Sequence, residues 1–151
     1  MENQTTTSAE LWLAIHNFKI ATTALIESLV SDEEITGLQA IVLQIIYSNH
    51  SMSIGDLTKH LGLFQANTSN MCKKLEALGY IHRKRNPQDV RIVNLYLTDK
   101  GTALIKRLHQ RLEKCQAYLE NSSSLNQKAV LYAIKECSAL VQELAKVNQK
   151  I

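Results

Sequence analysis

Apolar residues recur at three- and four-residue intervals over most of the chain, and the interval shortens to two in one place. Leu11, Ile15, Phe18, Leu25 and Leu29, with Thr22 in register, form the first stripe. They predict a long amphipathic helix to about Val30, opened by a capping-box candidate, Thr7-Ser8-Ala9-Glu10. Ser31 to Ile35 is an acidic link. Thr36-Gly37-Leu38-Gln39 is a second capping box, and the helix it opens, to about Asn49, is apolar nearly all round. Such a helix is buried on most sides. Ser53-Ile54-Gly55-Asp56 starts a short helix that carries Leu57 and Leu61 and breaks at Gly62. A further helix runs from about Gln65 to Leu78, with Met71, Leu75 and Leu78 inward, and stops at Gly79.

The period then changes. Tyr80 to Arg85 and Ile92 to Leu97 alternate like strands, and Asn86-Pro87-Gln88-Asp89 between them is turn chemistry. Helix, turn, helix and a hairpin with a charged tip is the outline of a winged helix-turn-helix. After Thr98 comes a long helix with Leu104, Ile105, Leu108, Leu112, Cys115 and Leu119 on one stripe. Asn121 to Ser124 reads as a loop. Ser124 caps a last helix bearing Val130, Ile134, Cys137, Val141 and Leu144. The expected fold is mainly α with a small β-hairpin wing and long terminal helices. Those helices carry more apolar stripe than a small lobe can cover. They either fold back on their own core or join two copies, and the second reading is favoured because major-groove readers commonly pair.

Charge sharpens the picture. Lys73, Lys74, Arg83, Lys84, Arg85 and Arg91 stand against only Glu76 and Asp89, so this stretch carries +4, whereas all 151 residues sum to +3. A local positive field is the footprint of phosphate binding. Composition excludes several other classes. No apolar run approaches the roughly 20 residues needed to span a bilayer. The polar start, Met1 to Thr7, is no signal peptide, so a cytoplasmic location is expected. Three cysteines, Cys72, Cys115 and Cys137, are too few and too widely spaced for a disulfide framework. Cys115 and Cys137 sit on apolar stripes, where a cysteine is usually a small core residue. Cys72, in the second helix of the motif, is the candidate for partial exposure and redox sensing. None of the five histidines pairs at helical spacing, and no phosphate loop, nucleophile elbow or partnered carboxylate pair occurs. We therefore expect no enzyme activity, no metal and no cofactor.

Leu75-Glu76-Ala77-Leu78-Gly79-Tyr80-Ile81, then Asp89-Val90-Arg91, then Leu97-Thr98-Asp99-Lys100-Gly101 resemble the MarR family of bacterial transcription regulators. The wing carries an acid, an arginine two residues on, and Leu-Thr-x-x-Gly closing the second strand. The helix order matches along essentially the whole chain. The resemblance implies one domain over residues 1–151, with a DNA-binding lobe at 36–98 and dimerisation helices at 8–30 and 99–150. It further implies an obligate homodimer and a repressor, less often an activator, released by a small ligand, an oxidant or a metal. It also suggests that Asp89 orients Arg91 through a salt bridge. One departure is Phe64, which stands where members often have a small polar residue.

The residues themselves name the contacts. Opposite the inward stripe of the second motif helix lie Ala66, Ser69, Asn70 and Lys73, with Gln65 at the edge and Asn67 and Thr68 nearer the core. Asn and Gln match the adenine edge, while Lys73 and Lys74 suit phosphate or guanine. By itself this face reads equally well as solvated surface; the basic hairpin beside it favours DNA. In the hairpin, Arg83, Lys84, Arg85 and Arg91 flank a turn narrow enough for a minor groove. Double-stranded DNA is thus the expected partner, as an inverted repeat rich in A·T pairs. A cleft bounded by Trp12, Ile15, His16 and Ile46 is a candidate effector pocket, and simple core is an equally good reading of those four. The competing function is a winged-helix adaptor or antirepressor that reads no DNA, for which the +4 cluster has no use.

Overall fold

A computed structural model describes residues 8–87, 89, 91–122 and 127–148. Six helices and three strands follow the order α1 (Ser8–Leu29), α2 (Gly37–Asn49), β1 (Met52–Ser53), α3 (Ile54–Leu61), α4 (Gln65–Ala77), β2 (Ile81–Arg85), β3 (Val93–Leu97), α5 (Asp99–Ser122) and α6 (Gln127–Asn148). The mainly helical winged fold expected from the sequence is present. The cap at Thr7 and the cap at Ser124 lie outside the described residues. So do Gln88 and Val90 in the wing and the side chains of Leu119 and Val130.

Local chemistry sets the element ends. Thr36 and Gln39 exchange hydrogen bonds in a complete capping box: the Thr36 amide donates to Gln39 Oε1 at 2.9 Å and the Gln39 amide to Thr36 Oγ1 at 3.3 Å. Ser53 Oγ accepts from the Asp56 amide at 3.0 Å and starts α3. Gly62, with φ of 62°, ends α3 in the left-handed conformation. At the end of α4 the Tyr80 amide reaches back to Leu75 O and the Gly79 amide to Glu76 O, both at 2.9 Å. This is a Schellman closure, and it requires the positive φ of 77° at Gly79.

The sheet has one strand more than the sequence suggested. Antiparallel β1 pairs with β3, Met52 opposite Leu95, and β3 pairs with β2, Ile81 opposite Leu97 through Arg85 opposite Val93. β1 has only two residues, too short to show alternation. It lays the entry to α3 along the wing strand, so that the helix-turn-helix and the wing share one sheet. α5 also departs from expectation, running unbroken to Ser122. Asn121 and Ser122, read as loop, are helical, because polar residues at a helix end are compatible with either state.

The chain divides into two compact units, Met1–Leu112 and Glu113–Ile151. The core of the first gathers Val42, Leu43 and Ile46 from α2, Leu57 from α3, Leu75 from α4, Leu95 from β3, and Leu104 and Ile105 from α5. Burying each such side chain is worth roughly 1.5–3 kcal/mol relative to leaving it in water. α1 has no buried residue: Leu11, Phe18 and Leu25 of its predicted stripe are exposed, as are Trp12, Leu13 and Ile20. In the second unit Tyr132, Ile134, Leu140, Val141 and Leu144 of α6 are exposed. Cys115 and Cys137 are exposed too, which corrects the expectation that they are core residues.

Candidate nucleic-acid interface

α4 presents its polar face because its inward face is set by Thr68, Cys72 and Leu75, all fully buried. Met71 and Leu78, assigned inward by their hydrophobicity, are only half-buried. At 100° per residue this turns the inward direction by roughly 60° from the one the sequence suggested. Two placements follow. Thr68 is removed from the contact set: its side chain is shut in the core, with Oγ1 donating to Phe64 O at 3.4 Å. Asn67, expected nearer the core, is exposed. Gln65, Ala66, Asn70, Lys73 and Lys74 are exposed as anticipated, and Ser69 is half-buried.

The same rotation buries Cys72. The candidate redox sensor is therefore sequestered, and burial pushes its thiol up to about 11, where the reactive thiolate is scarce at neutral pH.

The wing is built on the β2–β3 pairing. The Asn86 amide donates to Ile92 O at 2.8 Å and the Ile92 amide to Asp89 O at 2.9 Å. Asp89 does not hold Arg91 by a salt bridge. Its Oδ1 accepts from the Arg91 backbone amide at 2.9 Å, and no ion pair joins the two side chains among the described residues. The carboxylate shapes the tip and leaves the guanidinium exposed. Lys84 and Arg85 are exposed as well. Lys84 Nζ lies 5.7 Å from the Tyr96 ring, on the face where His82 stacks against Tyr96 with centroids 5.3 Å apart. Arg83 points elsewhere. It is partly buried, 3.8 Å from Glu76 of α4, and its Nε is buried without a hydrogen-bond partner among the described residues.

The residues that fix α4 relative to the wing were not among the expected DNA contacts. Thr98 Oγ1 lies 2.7 Å from Gly79 O and 3.1 Å from Tyr80 O, and accepts from the Gly101 amide at 3.1 Å. Lys100 Nζ donates to Leu78 O at 2.8 Å and sits 4.3 Å from the Tyr80 ring. The start of α5 is thus bonded to the end of α4. The only available signal was the Leu-Thr-x-Lys-Gly spelling itself.

The four residues of the candidate effector pocket do not enclose a cavity within one chain. Trp12 is 75% exposed and His16 is exposed, whereas Ile46 is fully buried. Ile46 instead lines a different cleft of about 450 Å³ with Tyr47, His50, His82, Tyr96, Leu97 and Thr102. Beside it, His109 Nε2 is 2.7 Å from Gln44 Oε1 and its ring meets Tyr47 edge-on. A ring-bearing α1 face and a buried α2 position shared no local pattern that could have told them apart.

Fold and site together define a winged helix-turn-helix protein. Residues 35–93 match the model of the MarR family. The transcriptional regulator TtmR of Methylorubrum extorquens is 34% identical over 77 residues, 51% of this chain and 40% of that protein. The transcriptional repressor MprA of Escherichia coli K12 is 29% identical over 86 residues, 57% of this chain and 49% of its own. The chain thus spans about half or less of the length of these relatives. A crystal structure of a mutant MarR from E. coli complexed with operator DNA superposes with a TM-score of 0.71 at 26% identity, covering 84% of this chain and 92% of that one. Streptococcus pneumoniae FabT, solved in complex with DNA, has the same fold, with a TM-score of 0.73 at 21% identity over 93% of this chain and 99% of that one. Residues 35–93 of the chain are thus similar to the MarR family.

Proposed function

We propose that this protein is a homodimeric, sequence-specific DNA-binding regulator that represses transcription and is released by a small ligand. The observation that carries the reading is the pairing of an exposed polar face on α4 with an exposed basic wing. Gln65, Asn67, Ser69 and Asn70 face base edges, Lys73 and Lys74 face phosphates, and Lys84, Arg85 and Arg91 enter the adjoining minor groove. Arg83 and Asp89 act one step back, by positioning α4 and the tip. The relatives named as regulators and the E. coli homologue solved on operator DNA support the same reading.

A second copy of the chain covers the exposed apolar faces of α1 and α6. Two-fold symmetry then makes the operator an inverted repeat, with half-site centres roughly 10 base pairs apart. An α4 face without arginine and a wing rich in it favour A·T-rich half-sites. The cleft lined by Ile46, Tyr47, His50, His82 and Tyr96 is the ligand site in this reading. Its volume is that of ordinary small-molecule pockets. It touches α2, both wing strands and α5, so an occupant with different affinity for two wing positions shifts operator binding.

Selection from random duplexes tests the proposal: A·T-rich inverted repeats are expected, and enrichment of G·C-rich direct repeats, or of nothing, would refute it. For the ligand, a thermal-shift screen with aromatic acids, acyl compounds and divalent metals should yield a hit that also changes operator affinity. The ligand part falls if no stabilising compound does so.

A further inference from the structure

Phe64 occupies the position just before α4, and its backbone and side chain do separate things. Its φ of −76° and ψ of 143° are those of an N-cap, but no side-chain hydrogen bond closes the cap. The carbonyl does the local work, accepting from the Asn67 amide at 3.0 Å and the Thr68 amide at 3.2 Å. The ring is left 82% exposed. It therefore adds almost nothing to the core and nothing to the helix start. A serine, threonine, aspartate or asparagine here would cap the helix and strengthen it.

The helix turn that follows the ring carries no acid. Gln65, Ala66 and Asn67 beside it are exposed, the first turn of α4 has no acid, and Lys73 and Lys74 lie further along the same helix. A large exposed ring on such a surface suits a polyanion that carries an apolar feature. Duplex DNA has one on its major-groove edges, the C5-methyl of thymine. Residues at the N-terminus of a reading helix are also the ones that reach base edges.

We infer that Phe64 is a specificity-determining residue whose ring packs on a thymine methyl in each half-site, next to the bases read by Gln65 and Asn67. This rests on the proposed function, since α4 must enter the major groove. The ring then makes thymine preferred over cytosine at one symmetric position without a hydrogen bond. Its exposure in the free protein is the cost of that selectivity.

The experiment replaces the thymines of the selected operator one symmetric pair at a time with deoxyuridine, which removes the methyl and keeps every hydrogen-bonding group. At one pair, wild-type affinity should fall about fourfold per half-site, the worth of one buried methyl. Phe64→Ala should bind the thymine operator that much more weakly and lose all sensitivity at that pair, while Phe64→Leu keeps part of it. Phe64→Ser should melt at a higher temperature than wild type, through the restored cap, and still be insensitive to the methyl. If wild type tolerates uracil at every position, or Phe64→Ala responds as wild type does, Phe64 is no base reader, although selective DNA binding stands. Phe64→Ala binding both operators like wild type would reassign the ring to a protein surface and overturn the inference. A protein that selects no duplex at all defeats both this inference and the proposed function.

Discussion

Gly101 is the position where one added carbon does most damage. A Cβ there would sit inside van der Waals contact of the Tyr80 carbonyl oxygen, which is backbone and cannot swing away. Gly101→Ala must push α5 off the end of α4 and break the Thr98 hydrogen bonds, and should destabilise the fold by roughly 1–3 kcal/mol, read as a lowered denaturant midpoint. Arg91 is the opposite case: exposed, and without a structural partner for its side chain among the described ion pairs. Arg91→Ala should leave stability unchanged but weaken binding to all duplexes, and reduce the slope of log K against log salt by about 0.9 for the one positive charge lost from the DNA-facing wing. Equal affinity at every salt concentration would remove the wing from the interface. The cysteines divide in the same way. Cys72, buried and with its thiol raised to about 11, should resist alkylation at pH 8 until the protein unfolds. Mass spectrometry of the native protein showing Cys72 labelled as quickly as Cys115 or Cys137 would contradict the burial.

At the scale of elements, ion pairs clamp the link between α1 and α2 to α5. Arg111 donates to Asp32 at 2.5 and 2.7 Å and to Leu29 O at 2.6 Å, and Arg107 pairs with Glu33 at 3.1 Å. The hydrogen bonds from Arg111 hold the Asp32 carboxyl below its ordinary value, and those between Glu33 and Arg107 hold that guanidinium more firmly protonated. A carboxylate lowered on folding contributes stability above its unfolded pKa, near 3.9, and loses that contribution as pH falls through its lowered folded value. Asp32→Asn should therefore melt lower than wild type at pH 7 and show a shallower loss of stability below about pH 4. Parallel melting curves from pH 7 to pH 2 would show that the pair contributes nothing, the usual result for many exposed ion pairs. On α4, Asn70→Ala should relax base preference at one symmetric position, costing about 1–3 kcal/mol on the selected operator and little on random DNA.

For the whole molecule, the uncovered apolar residues of α1 and α6 decide the expectation. Sedimentation should find a dimer at micromolar concentration, and a chain ending before Ser124 should dissociate or unfold. A folded monomer of the full chain would rule out the dimeric regulator, because a single reading head cannot impose an inverted repeat.

The order of residues alone sets the elements and the chemistry they offer. The capping box at Thr36, glycines at 62 and 79, and the change of period at Tyr80 are local signals, and local backbone chemistry answers them almost residue for residue. The basic cluster needed only counting. Packing sets direction. Whether Thr68 or Asn67 faces out, whether Cys72 is reactive, and whether Arg83 reaches DNA or Glu76 all depend on how α4 is rotated against its neighbours. That rotation is set by packing on residues distant in the chain, and a polar residue such as Thr68 can fill an inward position that periodicity assigns to an apolar one. β1 was invisible for a related reason: two residues have no period, and only their pairing with β3 makes them a strand. The apolar α1 stripe was legible, but its exposure was not. Periodicity reports that a face needs covering, and only the folded chain shows that its own core leaves that face open.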